Sequence, residues 1–277
     1  MMDKRVANAI AMALLWIAAI STVGILVAVI GYVVWNGIGH ISPAFIFTWP
    51  HGVNAEGGIW PTIVSTLYVT ALAMLIVTPV AILAAVYLAE YAKQGRLVST
   101  IRFAADSLAS VPSIVMGLFG LALFVEGLGF GFSMLSAALA LSFLMLPIVM
   151  RTTEEAIRAV PKYIRWGSYG LGATKWQTVR RTVLPAATPR IITGIILATG
   201  RAVGETAVVI YTMGQAVNLP VTPLDSGRPM TVHLFLLAME GINLPAAYGT
   251  ALLLMVMILA FNLAARYMLR RNRRMSR

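Results

Sequence analysis

Six long apolar stretches punctuate the chain, at about residues 9–35, 62–88, 103–125, 133–150, 189–213 and 246–268. About 30 Å of hydrocarbon takes roughly 20 residues of helix, so each stretch is close to a span or longer than one. The pattern predicts an all-α integral membrane protein with six transmembrane helices. The first stretch follows Lys4 and Arg5 as a signal peptide would. Its apolar core, however, exceeds the roughly 7–15 residues of a signal core and no small-residue cleavage site follows it. A retained first helix is expected.

Within this pattern, Pro79, Pro112 and Pro147 fall inside the second, third and fourth stretches. Each removes a backbone donor and favours a kink, which a membrane tolerates only where neighbours satisfy the freed carbonyl. Bends that shape a bundle are the simplest reading, and three of them suit a bundle with a cavity. Gly117, Gly120 and the Gly200-x-x-x-Gly204 pair permit close helix approach. Residues 36–61 and 214–245 are rich in Gly, Pro, aromatics and Asn, which predicts lids or short interfacial pieces. Residues 151–188 are far longer than the roughly 2–8 residues that join neighbouring helices in a bundle. Trp166, Tyr169, Leu171 and Trp176 alternate there with charges. That mixture reads either as a solvated basic loop or as a surface docking onto a partner through aromatic anchors.

Charge orients these elements. Of 21 Lys and Arg residues, 19 fall in the amino-terminal tail, the second-to-third connection, the fourth-to-fifth connection and the carboxyl tail. All four lie on one face, with Arg228 alone on the other and Arg201 within a span. The positive-inside rule makes the crowded face cytoplasmic, with both termini inside. A pI near 10.4 would otherwise raise nucleic acid as a partner, but the basic residues flank the spans and form no separate domain. At 59% hydrophobic and 11% charged, with mean hydropathy +0.85, the chain is too apolar for a soluble domain. There is no cysteine, which excludes disulfides and thiolate chemistry. His40, His51 and His233 are scattered through the predicted outer loops, so no metal site is expected.

Arg201 is the most informative single residue. It lies near the middle of the fifth stretch, where a charge costs about 2.5–3.5 kcal/mol or more unless it faces a polar cavity or a partner. At 100° per residue, Glu205 falls about 40° from Arg201, Ala198 about 60°, Gly194 about 20° and Arg190 about 20° to the other side. One face would then carry Arg190 near the cytoplasmic mouth, small residues above it, and Arg201 with Glu205 at mid-depth. Guanidinium matches an oxyanion bidentately and stays charged. Glu205 reads either as a structural i,i+4 ion pair with Arg201 or as an acceptor for protonated phosphate, and the two can coexist.

Gly172, followed twelve residues later by Leu184-Pro185 between the fourth and fifth spans, resembles the EAA loop of ABC importer permeases. Further runs are similar to the phosphate-specific transport family. They are Gly57-Gly58-Ile59-Trp60-Pro61, Val111-Pro112-Ser113-Ile114-Val115-Met116-Gly117, Leu146-Pro147-Ile148-Val149-Met150-Arg151, Leu171-Gly172-Ala173-Thr174-Lys175-Trp176 and Arg201-Ala202-Val203-Gly204-Glu205-Thr206. The short amino-terminal region resembles its PstA-type subunit. The resemblance implies the six-helix type I permease fold, one domain over residues 1–277, with 151–188 as a cytoplasmic coupling loop.

It also implies that the chain is a non-catalytic subunit of the cytoplasmic membrane. It would move phosphate by alternating access alongside a second, PstC-type permease, two PstB-type ATPases carrying MgATP, and a PstS-type phosphate-binding protein. No G-x-x-x-x-G-K-[ST] run is present for binding ATP, so no cofactor is expected on this chain. Trp166, Gly167, Ser168, Gly172, Ala173, Thr174, Trp176, Leu184 and Pro185 would carry the ATPase contact, and Arg201, Glu205 and Arg190 the substrate path. One departure stands out: Trp166-Gly167-Ser168 occupies the family's triplet, so its usual Glu is replaced, with packing of Trp166 or nearby Glu154 and Glu155 as substitutes. An importer of sulfate or molybdate is the nearest alternative. A membrane enzyme acting on a lipid-linked phosphate is a more distant one, since no His, Cys or second carboxylate accompanies Arg201 and Glu205 at that depth.

Overall fold

The computed structural model describes residues 4–51 and 56–275. Arg277, counted above among the basic tail, lies outside them. The described residues are helical almost throughout, with one two-stranded antiparallel pair among them, β1 (Pro50–His51) and β2 (Glu56–Gly57). In chain order the helices begin with α1 (Lys4–Gly37), α2 (Pro43–Phe47), α3 (Trp60–Val86), α4 (Arg96–Ser110), α5 (Ser113–Gly120) and α6 (Met134–Arg158). They continue with α7 (Lys162–Gly170), α8 (Lys175–Thr178), α9 (Leu184–Val203), α10 (Ala207–Thr212), α11 (Met230–Met239) and α12 (Leu244–Met275). Wider π-helical turns extend α3 through Tyr87–Tyr91 and α5 through Leu121–Gly127, and join α8 to α9 through Val179–Val183.

The bundle is organised on α3 and α6. Val69, Ala73, Val77 and Ala81 recur every four residues on α3 and are buried in one core with Ala137, Ala138, Leu141, Leu144 and Met145 of α6. Lipid tails are as apolar as Leu, so helices in a membrane gain most from close backbone approach, which small side chains allow. Ser142 Oγ on α6 reaches across this seam to the Ala73 carbonyl at 3.1 Å while also bonding Ala138 O at 2.6 Å. Gly194 of α9 is fitted just as tightly, since a Cβ there would stand 2.7 Å from Thr152 Cβ of α6. At Gly117 and Gly120, an added Cβ would meet Ala207 O at 2.8 Å, Thr212 Cγ2 at 2.7 Å and Ala140 Cβ at 2.8 Å. These two glycines do seat α5 against α10 and α6, as their spacing suggested.

Gly200 and Gly204 do not: a Cβ at either would come no closer than 3.7 Å to any atom, and at Gly204 those atoms belong to its own turn. Gly204 is exposed and meets no other helix, whereas Gly200 is half-buried, with Asn262 Nδ2 of α12 3.7 Å from the added Cβ.

Among the described residues five helices are long and apolar enough to cross a membrane, and the bent pair Arg96–Ser110 and Ser113–Gly127 makes a sixth when counted as one span. The expected third span is therefore not straight. It turns by 101° at Val111-Pro112, which separates an amphipathic α4 from the apolar α5. The residue before a proline is pushed out of the helical region, and Val111 is extended, with ψ 129. The fifth span is shifted as well. Helix is continuous over Lys175–Val203, beginning inside the expected connection 151–188, and it breaks at Gly204 rather than running on to Met213. His233, expected in a loop, is buried in α11. The first span stands apart: its apolar window is exposed along its length, and it meets α12 through Tyr32 and Tyr248, whose rings pack edge-on at 5.8 Å.

Candidate functional site

The end of the bundle beyond α6 carries α7 and α8. Gly172 lies between them at φ +79, a left-handed conformation that side chains disfavour, and a Cβ there would meet nothing. Its glycine is thus required by backbone geometry rather than by space. Gly172 N donates to Tyr169 O at 2.9 Å and Ala173 N to Ser168 O at 3.2 Å, closing α7. Thr174 then opens α8 with a reciprocal cap: its hydroxyl accepts from Gln177 N, and Gln177 Oε1 accepts from Thr174 N at 2.8 Å. The hydroxyls of Ser168 and Thr178 lie 2.9 Å apart and tie the two helices together. Trp166 is 67% exposed, Leu171 90% and Trp176 55%, with Tyr163 and Gly167 also in the open.

Six of the nine residues expected to contact a partner therefore sit in one exposed turn of chain: Trp166, Gly167, Gly172, Thr174, Trp176 and, partly covered, Ala173. Ser168 is half-buried and works inward. Leu184 and Pro185 open α9, where Leu184 packs on the cluster of Ile157, Val160, Val179, Val183 and Ala187 beneath the turn. Leu184 supports that surface from below and does not form part of it. Glu154 is no stand-in for the missing triplet glutamate, because it is buried between Arg102 at 2.8 Å and Arg158 at 2.7 Å. Glu155 remains exposed and reaches Arg151 at 3.5 Å, while Arg151 pairs across to Asp106 of α4 at 2.6 Å.

The residue that fixes α7 was overlooked in the sequence. Arg165 counted there only as one more basic residue, yet its guanidinium holds Glu90 at the end of α3 and the carbonyls of Val160 and Ile157. Its neighbour Trp166 points the other way, into the open. The available signal was Glu90 itself, a carboxylate closing an apolar stretch.

The second part of the site is at mid-height. Gly194 lies beside Thr152, six residues before the end of α6, and α9 rises from that end past Ile157 and Val160. Seven residues further on, about 10 Å at 1.5 Å per residue, Arg201 stands roughly halfway along α6. The side chain is exposed. Glu205 is not on the helical face predicted for it, because α9 ends at Val203 and Glu205 lies in the break before α10. Among the described residues Arg201 and Glu205 form no ion pair. The break is held by its backbone: Glu205 N donates to Ala202 O at 3.2 Å, and Thr231 Oγ1 of α11 donates to Glu205 O at 2.9 Å. Unwound backbone at membrane depth needs such partners.

Gly194 and Ala198, expected to line a path between the two arginines, are buried against neighbouring helices. Arg190 is exposed but lies eleven residues before Arg201, about 16 Å along the helix, so the two do not share one site. Beyond the break lies a chamber of about 820 Å³ between α5, α10 and α11, lined by Thr206, Tyr211, Gln215 and Thr231 among apolar side chains.

Comparison with known proteins agrees with this architecture. Residues 78–274 match the family described as binding-protein-dependent transport system inner membrane component. The chain is 35% identical to the probable ABC transporter permease protein YqgI of Bacillus subtilis (strain 168), covering 96% of each. It is 39% identical to the phosphate transport system permease protein PstA 1 of Mycobacterium tuberculosis H37Rv, over 82% of this chain and 77% of that one. Among solved structures, a chain of a bacterial alginate ABC transporter superposes with TM-score 0.68 at 17% identity, covering 97% of this chain and 98% of that one. A chain of the inward-facing MetNI methionine ABC transporter gives 0.61 at 21%, covering 77% and 93%. At such identities these two speak for the fold alone. A broken, multi-pass bundle with an exposed aromatic turn at one end, matched over most of its length, makes this chain a member of the binding-protein-dependent transport system inner membrane component family, the permease subunits of ABC importers.

Proposed function

We propose that this permease carries inorganic phosphate inward through a path that Arg201 shares with a second permease. The observation that carries the reading is the placement of Arg201: at mid-height, exposed, and without an ion pair among the described residues. A lone cation facing lipid at that depth would cost a few kcal/mol or more, so the face bearing it belongs against protein or water. The exposed Gly204 lies on the same stretch and suits close approach of another helix. Guanidinium presents paired donors to a tetrahedral oxyanion, and Glu205 nearby would accept from a protonated phosphate while repelling fully ionised sulfate. Similarity to PstA proteins supports phosphate as the anion.

In this reading the α7–α8 turn faces the cytoplasm together with both termini, as the basic residues imply. Two ATPase subunits dock on the exposed Trp166, Leu171 and Trp176, and energy enters through α7. An extracytoplasmic phosphate-binding protein delivers the anion at the opposite end. The test is uptake by the assembled transporter in proteoliposomes. Arg201→Lys, which keeps the charge but loses the planar fork, is expected to insert and assemble normally while phosphate uptake falls at least tenfold, about 1.4 kcal/mol. Uptake near wild type in that variant overturns Arg201 as the substrate residue, and a wild-type transporter that moves sulfate or molybdate and not phosphate overturns the choice of anion.

A further inference from the structure

Arg228 is the only Lys or Arg in the connections at the end of the bundle opposite α7. The segment bearing it is pinned onto the first turn of α6, where Met134 N donates to Asp225 O at 2.9 Å and Leu135 N to Pro223 O at 2.7 Å. Asp225 braces the same segment, its carboxylate accepting from Val221 N, Thr222 N and Thr222 Oγ1 at 2.7–2.8 Å. Arg228 Nε donates to Gln215 O at 2.7 Å, which fixes the plane of the guanidinium. Its two terminal nitrogens have no hydrogen bond or ion pair with any described residue. The residue is half-buried, so the cation is partly stripped of water without receiving a carboxylate in exchange. Glu240 is near enough to act on it electrostatically but forms no direct pair.

The group that Arg228 holds is the link to transport. Gln215 lines the 820 Å³ chamber at one end, and Thr206, next to Glu205 in the mid-height break, lines it at the other. About 9 Å of α10 separates them. Between the two ends the walls are mostly apolar, and low-dielectric walls strengthen the pull of any fixed charge at their rim. We propose that Arg228 is an outer anion-receiving site, which takes a tetrahedral oxyanion on its free terminal nitrogens and passes it through the chamber to Arg201. Glu240 moderates that hold, so that the anion is captured without being trapped.

This assignment rests on the phosphate reading above. It is tested in the assembled transporter with phosphate-loaded binding protein, measuring KM and maximal uptake at two salt concentrations. Arg228→Gln keeps an amide donor for the Gln215 carbonyl but removes the charge, and is expected to lower kcat/KM about tenfold, chiefly through KM, and to flatten the salt dependence. Glu240→Gln is expected to act in the opposite sense, raising kcat/KM about two- to threefold and steepening the salt dependence. A purely structural Arg228 would not produce that opposite pair of effects. Should Arg228→Gln fail to assemble, Glu240→Gln decides alone: unchanged kinetics there overturn the proposal. Wild-type uptake of phosphate with both variants kinetically unchanged overturns Arg228 alone, whereas wild-type vesicles that take up no phosphate overturn the substrate reading.

Discussion

Arg165 of α7 and Glu90 at the end of α3 form a buried ion pair, Nη2 to Oε1 at 2.6 Å and Nε to the same oxygen at 3.0 Å. Their side chains are 15% and 8% exposed, and the guanidinium also satisfies the Val160 and Ile157 carbonyls. The α7–α8 turn is thereby fastened to one of the two helices that organise the bundle. Breaking such a pair by removing one partner strands a charge and costs about 3–5 kcal/mol, whereas replacing both with apolar groups is often neutral. Glu90→Leu is therefore expected to lower the melting temperature of the detergent-solubilised permease markedly, and adding Arg165→Met to recover most of the loss. If α7 transmits motion through this pair, the recovered double variant still shows reduced ATP-driven uptake. A double variant as unstable as Glu90→Leu would contradict the pairing.

Gly172 separates geometry from packing. Its φ of +79 penalises any side chain, yet a Cβ there would touch nothing. Gly172→Val should leave insertion intact, since the site lies outside the spans, and should reduce copurification of the ATPase and uptake together. Gly172→Asn, which tolerates the left-handed region better, should fall between the two. Normal assembly of the Val variant would return the turn to a passive connector.

Gly194 and Gly204 are expected to behave oppositely. Gly→Ala in a helix interior gains up to about 1 kcal/mol in propensity, but overpacking a fitted contact costs about 1–3 kcal/mol. With Thr152 Cβ 2.7 Å from the added methyl, the second effect wins at Gly194, and Gly194→Ala should destabilise the isolated permease. Gly204→Ala meets nothing nearer than 3.7 Å, an ordinary contact, and should not. If Gly204 approaches a second permease, that variant should instead weaken association of the two, measured by copurification.

Orientation follows from the distribution of basic residues and can be checked directly. Reporter fusions after Gln94 and Lys162 are expected to read cytoplasmic, and those after Glu56 and Asp225 extracytoplasmic. A fusion at Lys162 reading outside would reverse every assignment of a face made above.

Asp225 supplies a test that uses pH. Backbone N–H groups of Thr222 and Val221, in that order, hold its carboxyl below the ordinary carboxylate range, and the Thr222 hydroxyl adds to this. A depressed folded-state pKa contributes order that is present above the unfolded value near 4 and lost as pH falls through the folded one. Protease protection of residues 221–229 is expected to weaken in that acid window and to lose its pH dependence in Asp225→Asn.

The membrane class, the number of spans counted with the bent pair as one, and the glycine turn ahead of the fifth span were all legible in the sequence. Each is a local property: apolar length, clustered positive charge, and a glycine followed at fixed spacing by Leu-Pro. Arg201 was equally visible because a charge in an apolar run has no local explanation. The bend at Pro112 was not, because hydropathy reports the solvent of a segment and not its direction, and a 101° turn leaves the apolar count unchanged. The end of α9 at Val203 was missed for a related reason: Glu205 is compatible with a helix, and the Thr231 hydroxyl that stabilises the break lies 26 residues away.

The sequence by itself determined which segments enter the bilayer and which chemistry they carry, since both follow from transfer energies and side-chain type. The tertiary structure decided who meets whom. Arg165 finds Glu90 across 75 residues, Glu154 is consumed by Arg102 and Arg158, and Gly194 is covered by α6 while Arg201, further along the same face of α9, is left exposed. Such pairings depend on helix rotation and height, which are set by the close fit of small residues between α3, α6 and α9 and by no single stretch of chain.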